Sequence, residues 1–235
     1  MFLDSYFSSQ DGQISFTRKQ ASDFAKQLAG DYNPIHNEDA KRFCVPGDLL
    51  FSLALSRYGI SQHMEFTFSG MVTDTVELAF PKATENQIAI TDSKKEYLHL
   101  NRSGDNVDDP ELIESLARSY VAFSGTTFPH LLVPLMRNAG VMINPDRPLV
   151  IYQKMILNFD SLDTHNVTLE DNGKTHLTAN GKKGSVCLAF DFVSEGKVVG
   201  HGEKHMVLSG LRDYDEEQMQ GIIDYYEKLK LDYQG

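Results

Sequence analysis

Cysteine is scarce in this sequence. Its 235 residues include two cysteines, Cys44 and Cys187, and each lies within an apolar run. A disulfide framework or a cysteine-based zinc cluster needs more cysteines at closer spacing, and a free cysteine in apolar surroundings behaves as a small buried hydrophobic residue. The cysteine content therefore indicates a reduced protein, and we expect a cytoplasmic location.

Long apolar runs are missing as well. No segment approaches about 18 consecutive apolar residues, the length that a membrane-spanning helix requires. The first residues, MFLDSYFSSQDGQ, lack the basic start and the apolar middle of a signal peptide. We therefore expect a chain that has no membrane partner and carries no secretion signal.

Positive charge is in deficit, because 22 lysines and arginines stand against 33 aspartates and glutamates, for a net charge of −11. Without a cluster of basic residues, the chain lacks the electrostatic footprint that binding to a phosphate backbone needs, so we expect no nucleic-acid partner. Neither a G-x-G-x-x-G motif nor a P-loop is present. Nucleotide-dependent redox chemistry and phosphoryl transfer are therefore not indicated, and we expect no cofactor.

Hydrophobic residues make up 41% of the chain, which is enough to form a globular core. Apolar residues spaced three and four apart predict a helix from Lys19 that ends at Gly30. A second helix follows, and its residues 49–58 are apolar on almost every side, which is typical of a helix inside a core. Alternation of apolar and polar residues then predicts strands at 64–68, 76–80, 87–91 and 96–101.

The same order of elements recurs after a polar, turn-rich linker at residues 103–110. A helix is predicted near 111–123, a short helix follows, and strands come next at 149–159, 166–170, 185–193 and 197–208. Residues 30–34 align with residues 125–129, which indicates an internal repeat. We divide the chain into 1–105, 106–210 and 211–235, and the last segment is predicted to be an amphipathic helix by an apolar stripe at Met219, Ile222, Ile223, Tyr226 and Leu229.

The most informative segment is the polar loop after Gly30. Asp31, Asn33 and His36 fall within six residues, and Pro34 restricts the backbone between them. A carboxylate and an imidazole that converge on one water molecule can move its proton, with either group acting as the base. Taken alone, Asp31 and Asn33 also fit an ordinary turn, because both residue types bond to their own backbone, and His36 also fits a structural histidine.

Residues 30–36, GDYNPIH, resemble the G-D-x-N-P-(I/L/V)-H motif of the MaoC-like (R)-specific enoyl-CoA hydratases, a family of hotdog-fold dehydratases. The similarity continues at Phe24 and Leu28 before the motif, and at Ala40, Phe43 and the V-x-G-x-L of residues 45–49 after it. Residues 66–75 are similar to a strand pair of that family, without its proline and first glycine. Residues 192–202 resemble the last hairpin of a hotdog.

The resemblance implies an α+β fold of the double hotdog type, in which two long buried helices are each wrapped by an antiparallel sheet, followed by the C-terminal helix. It implies that Asp31 and His36 are catalytic and hold the water that adds to a trans-2-enoyl thioester. The implied substrate is a small acyl thioester on coenzyme A or an acyl carrier protein. Asn33, Gly47 and Ser52 are the substrate-binding candidates, and backbone N–H groups near Gly47 would polarise the thioester carbonyl.

The resemblance also implies one intact site in each chain. In the second copy, Thr126 replaces Asp31 and Phe128 replaces Asn33, so that copy lacks the groups that activate water. We expect the second half to complete the sheet and to wall an acyl tunnel. The expected assembly is either a monomeric pseudo-dimer or a homodimer.

Several alternatives stay open at this point. The same scaffold supports thioesterases, and a double hotdog without turnover would bind acyl groups or a protein partner. Asp48 adds a negative charge to the first turn of the core helix, where it would repel a developing oxyanion. The Ser52 hydroxyl also fits a bond to the carbonyl one turn back. No metal site is expected, because His201 and His205 lie roughly 13 Å apart if they belong to one strand.

Overall fold

The computed structural model describes residues 2–234. The helical elements are α1 (Arg18–Asp23), a π-helical segment (Phe24–Ala29), a 3₁₀ turn (Pro34–His36), α2 (Gly47–Tyr58), α3 (Pro110–Gly125), α4 (Thr127–His130), α5 (Leu132–Ala139) and α6 (Glu216–Gln234). The strands are β1 (Ser8–Gln10), β2 (Gln13–Ser15), β3 (Ile60–Phe68), β4 (Leu78–Ala79), β5 (Gln87–Thr91), β6 (Glu96–Val107), β7 (Val141–Met142), β8 (Val150–Phe159), β9 (Thr168–Asp171), β10 (His176–Asn180), β11 (Lys183–Ser194), β12 (Lys197–Ser209) and β13 (Arg212–Asp213). None of the helices in this described part of the chain is long and apolar enough to cross a membrane.

One antiparallel sheet joins the two halves of the chain. Its strand order is β1-β2-β4-β5-β6-β3-β8-β12-β11-β10, and β9 pairs with β11 beside this path. The halves meet where β3 pairs with β8, from His63 opposite Asn158 to Thr67 opposite Lys154. The two halves therefore join their sheets edge to edge, through β3 of the first half and β8 of the second.

Helix α2 is the core helix of the first half. Its residues from Leu49 to Leu55 are all buried. Phe51 packs against Phe66 of β3 and Tyr120 of α3, with ring centroids 4.9 and 4.5 Å apart. Burial of each large apolar side chain contributes about 1.5–3 kcal/mol, so contacts with the sheet and with α3 stabilise the helix together. The predicted core position of α2 is confirmed.

The second half has a smaller core. Its helix α5 has 8 residues, against 12 in α2, and it buries Val133 and Met136. Helix α6 adds Met219 to the same cluster, while Tyr225 and Leu231 lie on its exposed face. Helix α6 is thus amphipathic and packed on the body. The predicted α+β double hotdog is confirmed, and its second core helix is the shorter of the two.

Strand β6 extends further than the sequence predicts. Residues 103–107, expected to belong to a polar linker, continue the strand to Val107, which pairs with Ile60 of β3. Pairing with a neighbouring strand supplies backbone hydrogen bonds, and this tertiary context overrides the low strand propensity of polar and glycine residues. The linker expectation is wrong for these residues, and the domain limits at 105 and 210 stay a prediction.

Candidate active site

The backbone leaves its helix through a defined turn where the loop of Asp31 and His36 begins. The Asp31 N–H donates to the Ala25 carbonyl at 2.8 Å, which closes the π-helical segment. Gly30 then takes a left-handed conformation with φ of 67°, which glycine adopts at little cost. Short π-helical turns are rare in proteins, and those that occur are often found at functional sites. Asp31 is therefore the first residue of a loop with a fixed starting direction.

Backbone contacts fix the orientation and the tautomer of His36. The Cys44 N–H donates to the Ile35 carbonyl at 3.1 Å, and His36 Nδ1 lies 2.7 Å from the Cys44 carbonyl oxygen. Because a carbonyl oxygen accepts hydrogen bonds and cannot donate them, Nδ1 carries a proton. In the neutral ring, Nε2 is then unprotonated and free to accept a proton.

The structure brings the two predicted catalytic residues together. His36 Nε2 lies 3.8 Å from Asp31 Oδ2, and the two side chains are 12% and 31% exposed. This separation is long for a direct hydrogen bond, but a water oxygen about 2.8 Å from each atom would bridge them. The spacing of the pair therefore fits one bridging water molecule.

Burial raises the pKa of Asp31 above its ordinary value of 3.8. The neighbouring His36 and the Asn33 N–H, which donates to Asp31 Oδ1 at 2.9 Å, act in the opposite direction, and the charge of Asp48 adds to the rise. The protein atoms packed around the Asp31 carboxyl disfavour its charged form. The side chain nevertheless keeps partial contact with solvent. Shifted carboxyl pKa values are frequent among groups that exchange protons in catalysis.

We expect Asp31→Asn to stabilise the fold at neutral pH. Because the pKa is raised, the folded state binds the Asp31 proton more tightly than the unfolded chain, so wild-type stability falls as pH rises above 3.8 and through the folded pKa. Asparagine does not titrate, so the Asp31→Asn variant does not lose stability in this way as the pH rises. Thermal melts from about pH 4 to pH 7 should show a Tm advantage that grows with pH, at ~2–4 °C for each kcal/mol.

The control for this melt is Asp39→Asn, which removes an exposed carboxylate from the same loop. We expect its Tm to follow the wild-type Tm across the pH range. An equal gain in Asp39→Asn, or a Tm advantage of Asp31→Asn that shrinks towards neutral pH, would contradict the prediction.

Two of the predicted substrate-binding residues use their side chains within the fold. Asn33 is exposed, and its side-chain oxygen caps the 3₁₀ turn by accepting the Ile35 N–H at 3.2 Å. Ser52 is fully buried, and its hydroxyl donates at 2.7 Å to the Asp48 carbonyl one turn back. These hydrogen bonds join both side chains to the protein backbone and not to the side chains of Asp31 and His36. The substrate-binding roles of Asn33 and Ser52 stay predictions.

Tyr152 covers Gly47, the third substrate-binding candidate, at the start of α2. A Cβ atom at Gly47 would lie 2.6 Å from the Tyr152 ring, so only glycine permits this approach. Tyr152 also stacks on Phe68, with ring centroids 4.0 Å apart. The first N–H groups of a helix have no partner inside it, and here an aromatic ring lies against that turn. Tyr152 therefore packs directly against the start of α2.

A buried network of charged and hydroxyl groups adjoins the loop, and the sequence analysis missed it. Lys204 Nζ of β12 lies 3.2 Å from Asp48 Oδ1 and donates to Ser124 Oγ at 2.6 Å. The hydroxyls of Tyr120 and Ser124 donate to the two Asp48 oxygens at 2.6 and 2.5 Å, and Tyr152 bonds to Tyr120 at 2.8 Å. Both charges in this Asp48–Lys204 network are paired and hydrogen-bonded, as buried charges require.

Two aromatic rings complete the surroundings of Lys204. Its Nζ lies 4.3 Å from the ring centroid of Tyr152 and 5.5 Å from that of Tyr120, within the range of cation–π attraction. Burial and the charge of Asp48 raise the pKa of both tyrosines well above 10.0, so both phenols stay protonated. Lys204 thereby neutralises the negative charge that Asp48 brings to the first turn of α2.

Helix α6 contacts the loop of Asp31 and His36 from the outside. The Tyr226 hydroxyl accepts the Tyr32 N–H at 3.2 Å and donates to the Gly30 carbonyl at 3.3 Å. The Tyr32 ring is buried and packs edge-on against Tyr226 and Tyr233 of α6. Burial and the charge of Asp31 raise the pKa of Tyr226, so its hydroxyl stays protonated. Helix α6 therefore holds the backbone on both sides of Asp31.

Two surface cavities lie away from the carboxylate–imidazole pair. One, of about 580 Å³, lies between the start of α1 and residues 74–77, and the other, of about 480 Å³, lies along α3 beside Asn166. Neither is lined by Asp31 or His36. The expected acyl tunnel is therefore not one of these two cavities, and its existence stays a prediction.

The fold and the site together define a double hotdog whose first half carries the Asp31–His36 carboxylate–imidazole pair in a loop. The chain belongs to the family described as "Protein of unknown function (DUF3581)", which matches residues 1–217. A search of curated proteins finds no match.

Solved structures of low sequence identity resemble the chain. A conserved hot dog protein of unknown function from Alicyclobacillus acidocaldarius is 9% identical over 92% of this chain and 99% of its own, with a TM-score of 0.48. A MaoC-like dehydratase is 10% identical over 87% and 98%, with a TM-score of 0.42. An acyl-CoA thioesterase II from Mycobacterium marinum is 8% identical over 72% and 90%, with a TM-score of 0.42. All three scores lie below 0.5, so the fold assignment is based on the strand order and helix packing described above.

Proposed function

We propose that this chain is an acyl-thioester hydratase or dehydratase, which adds water to a trans-2-enoyl thioester or removes it in reverse. The observation that carries the proposal is the fixed His36 ring, with Nδ1 bonded to the Cys44 carbonyl and Nε2 at 3.8 Å from Asp31. The hotdog scaffold alone supports several activities. The GDYNPIH motif and the geometry of this pair together favour hydration.

In the proposed reaction, a bridging water donates one hydrogen bond to His36 Nε2 and the other to Asp31. His36 takes a proton while the water oxygen bonds to C3, and the electron pair of the C2–C3 double bond moves towards the thioester carbonyl. A proton then returns from the pair to C2, so one water is added and the thioester bond stays intact. General acid–base catalysis of this kind contributes about 10²–10⁴-fold in rate.

The N–H groups at the start of α2 are the proposed partners of the negative charge that develops on the carbonyl oxygen. The carboxylate of Asp48 in this turn would oppose such a charge. Its ion pair with Lys204, at 3.2 Å, offsets that effect. The Tyr152 ring lies against Gly47, and the proposed binding mode includes rotation of this ring away from the helix start.

The direct test is turnover of crotonyl-CoA and longer trans-2-enoyl-CoA thioesters by the wild-type protein. Hydration removes the conjugated double bond, so its absorbance should fall while no free thiol is released. Release of coenzyme A thiol would indicate a thioesterase instead and would overturn the proposal. The two readouts are recorded on the same sample.

A second candidate function is acyl or partner binding without turnover. The position of Tyr152 against Gly47 favours it, because the ring is packed at the helix start where a thioester carbonyl would be polarised. Titration calorimetry with a saturated acyl-CoA separates the candidates when it is combined with the turnover assay. Binding by the folded protein with no change in any enoyl thioester would favour this candidate over the hydratase.

We expect Thr126→Ala to leave hydration and stability nearly unchanged. Thr126 is exposed, and its hydroxyl donates to the Phe123 carbonyl at 2.9 Å. A hydroxyl cannot replace the carboxylate of Asp31, so the second copy contributes no chemistry. Exposed substitutions of this kind change stability by about 0.5 kcal/mol or less. The measurements are kcat and Tm, and lost turnover in a folded Thr126→Ala variant would place the chemistry in the second half.

A further inference from the structure

A second cluster of chemically active side chains lies on the outer face of the sheet. Cys187 of β11 is directly opposite His205 of β12. Glu203 lies two residues before His205, on the same face, because side chains alternate along a strand. Lys204, between them, points to the inner face. The cluster therefore lies on the far side of the sheet from the Asp48–Lys204 network.

The three side chains already approach one another. One ligand atom from each of Cys187, Glu203 and His205 lies within 4.8 Å of the others. His205 Nε2 is 2.8 Å from Glu203 Oε2. A tetrahedral zinc ion, with bonds of about 2.0–2.3 Å, holds its ligand atoms about 3.3–3.8 Å apart. Side-chain shifts of about an ångström therefore suffice to form a coordination set.

The cluster is open to a metal ion from solvent. Cys187 is 7% exposed, whereas the side chains of His205 and Glu203 are 33% and 44% exposed. Lys154, opposite His205 on β8, has its ammonium paired with Glu65 at 3.1 Å. The site therefore combines a buried sulfur with two accessible ligands, and the neighbouring cation is already bound elsewhere.

We propose that Cys187, Glu203 and His205 form a zinc site in which water completes a tetrahedral coordination. A thiolate and an imidazole favour zinc over magnesium and calcium, which prefer oxygen ligands. Three protein ligands with a fourth position open to solvent are typical of zinc sites that bind water or substrate. His201 and His205 lie too far apart along one strand to share a metal, whereas the sheet register supplies Cys187 from the next strand.

The test is calorimetric titration of the full chain, free of any affinity tag, with zinc chloride. We expect one zinc per chain. Loss of a residue that merely supports a metal ligand typically weakens metal binding about 10–100-fold. Cys187→Ser and His205→Ala each remove a ligand itself, so each should weaken zinc binding by at least this factor. The matched control is His201→Ala, which removes a histidine from the same strand and face outside the cluster and should keep the wild-type affinity.

A spectroscopic readout identifies the sulfur ligand. Cobalt(II) in place of zinc should give a thiolate-to-metal charge-transfer absorption in the wild type and none in Cys187→Ser. Since Cys187 is buried, circular dichroism first confirms that its variant is folded, and Glu203→Gln tests the site at a partly exposed side chain. No saturable zinc binding to the wild type, a cobalt band that persists in Cys187→Ser, or an equal loss in His201→Ala would each overturn the proposal.

Discussion

Replacing His36 by alanine is expected to lower kcat for enoyl-thioester hydration by about 10²–10⁴-fold, the usual contribution of general acid–base catalysis. In the proposed mechanism His36 Nε2 is the base, because His36 Nδ1 donates to the Cys44 carbonyl at 2.7 Å. Asp31→Asn should cause a loss of similar size. The double variant should cost little more than either single change, because groups that act as a unit are not additive. The measurement is kcat by the loss of enoyl absorbance.

The matched control for these variants is His99→Ala. His99 also faces a carboxylate, with Nδ1 at 3.1 Å from Glu96, and it lies in the sheet away from the loop. Its loss should leave kcat unchanged. The expected rise in Tm for Asp31→Asn separates a chemical defect from a folding defect, because that variant should lose activity while it gains stability. Additive losses in the double variant would contradict the shared-water arrangement.

The second large effect concerns stability, because Lys204→Met is expected to destabilise the fold by about 3–5 kcal/mol. The substitution leaves the Asp48 carboxylate without its counter-ion, and removal of one partner from a buried ion pair typically costs this much. The side chains of Lys204 and Asp48 are 8% and 13% exposed, so solvent screens the pair weakly. Chemical denaturation gives the free energy of unfolding.

A double-mutant cycle with Asp48→Asn tests the interaction itself. Asp48→Asn/Lys204→Met should be clearly less destabilised than the sum of the single variants, because it removes both charges at once. The control pair is Lys154 with Glu65, which are 35% and 38% exposed at 3.1 Å. Its loss should cost at most about 1 kcal/mol, as is usual for exposed ion pairs. Additive effects at Asp48 and Lys204 would contradict the network.

The sequence predicts the elements of this fold where local pattern and tertiary context agree. The core helix is apolar on almost every side, and within Gly47–Tyr58 the residues from Leu49 to Leu55 are all buried. The apolar stripe around Met219 and Tyr226 likewise predicts the packing of α6, and both residues are buried. These elements follow from local periodicity alone, since each places one continuous apolar surface against the body.

The elements that sequence reasoning missed depend on partners far along the chain. Residues 103–107 are polar and rich in turn formers, yet they extend β6 because Ile60 pairs with Val107. Strand β10 (His176–Asn180) is short and largely exposed at one end of the sheet order, and it carries no strong alternation. Pairing with β11 forms it. Local composition does not contain this information.

Sequence reasoning likewise finds one part of the candidate site and misses another. Asp31 and His36 lie within one loop, so a local motif is sufficient to find them. The network around Lys204 is assembled from α2, α3, β8 and β12, and no spacing along the chain reveals it. The sequence does contain one indication of this network. Lys204 lies two residues after Gly202 and four after Gly200, on the face of the strand that points into the protein, and a charge there requires a buried partner.

The central claim, that Asp31 and His36 deliver one water to C3 of an enoyl thioester, is tested most directly by turnover in ¹⁸O-labelled water. Mass spectrometry should find a 3-hydroxyacyl thioester with one solvent oxygen at C3, formed by the wild type and by Thr126→Ala and almost absent with His36→Ala. A folded wild type that forms no such product, or that releases a free acid carrying the label at its carboxyl group, would contradict the account.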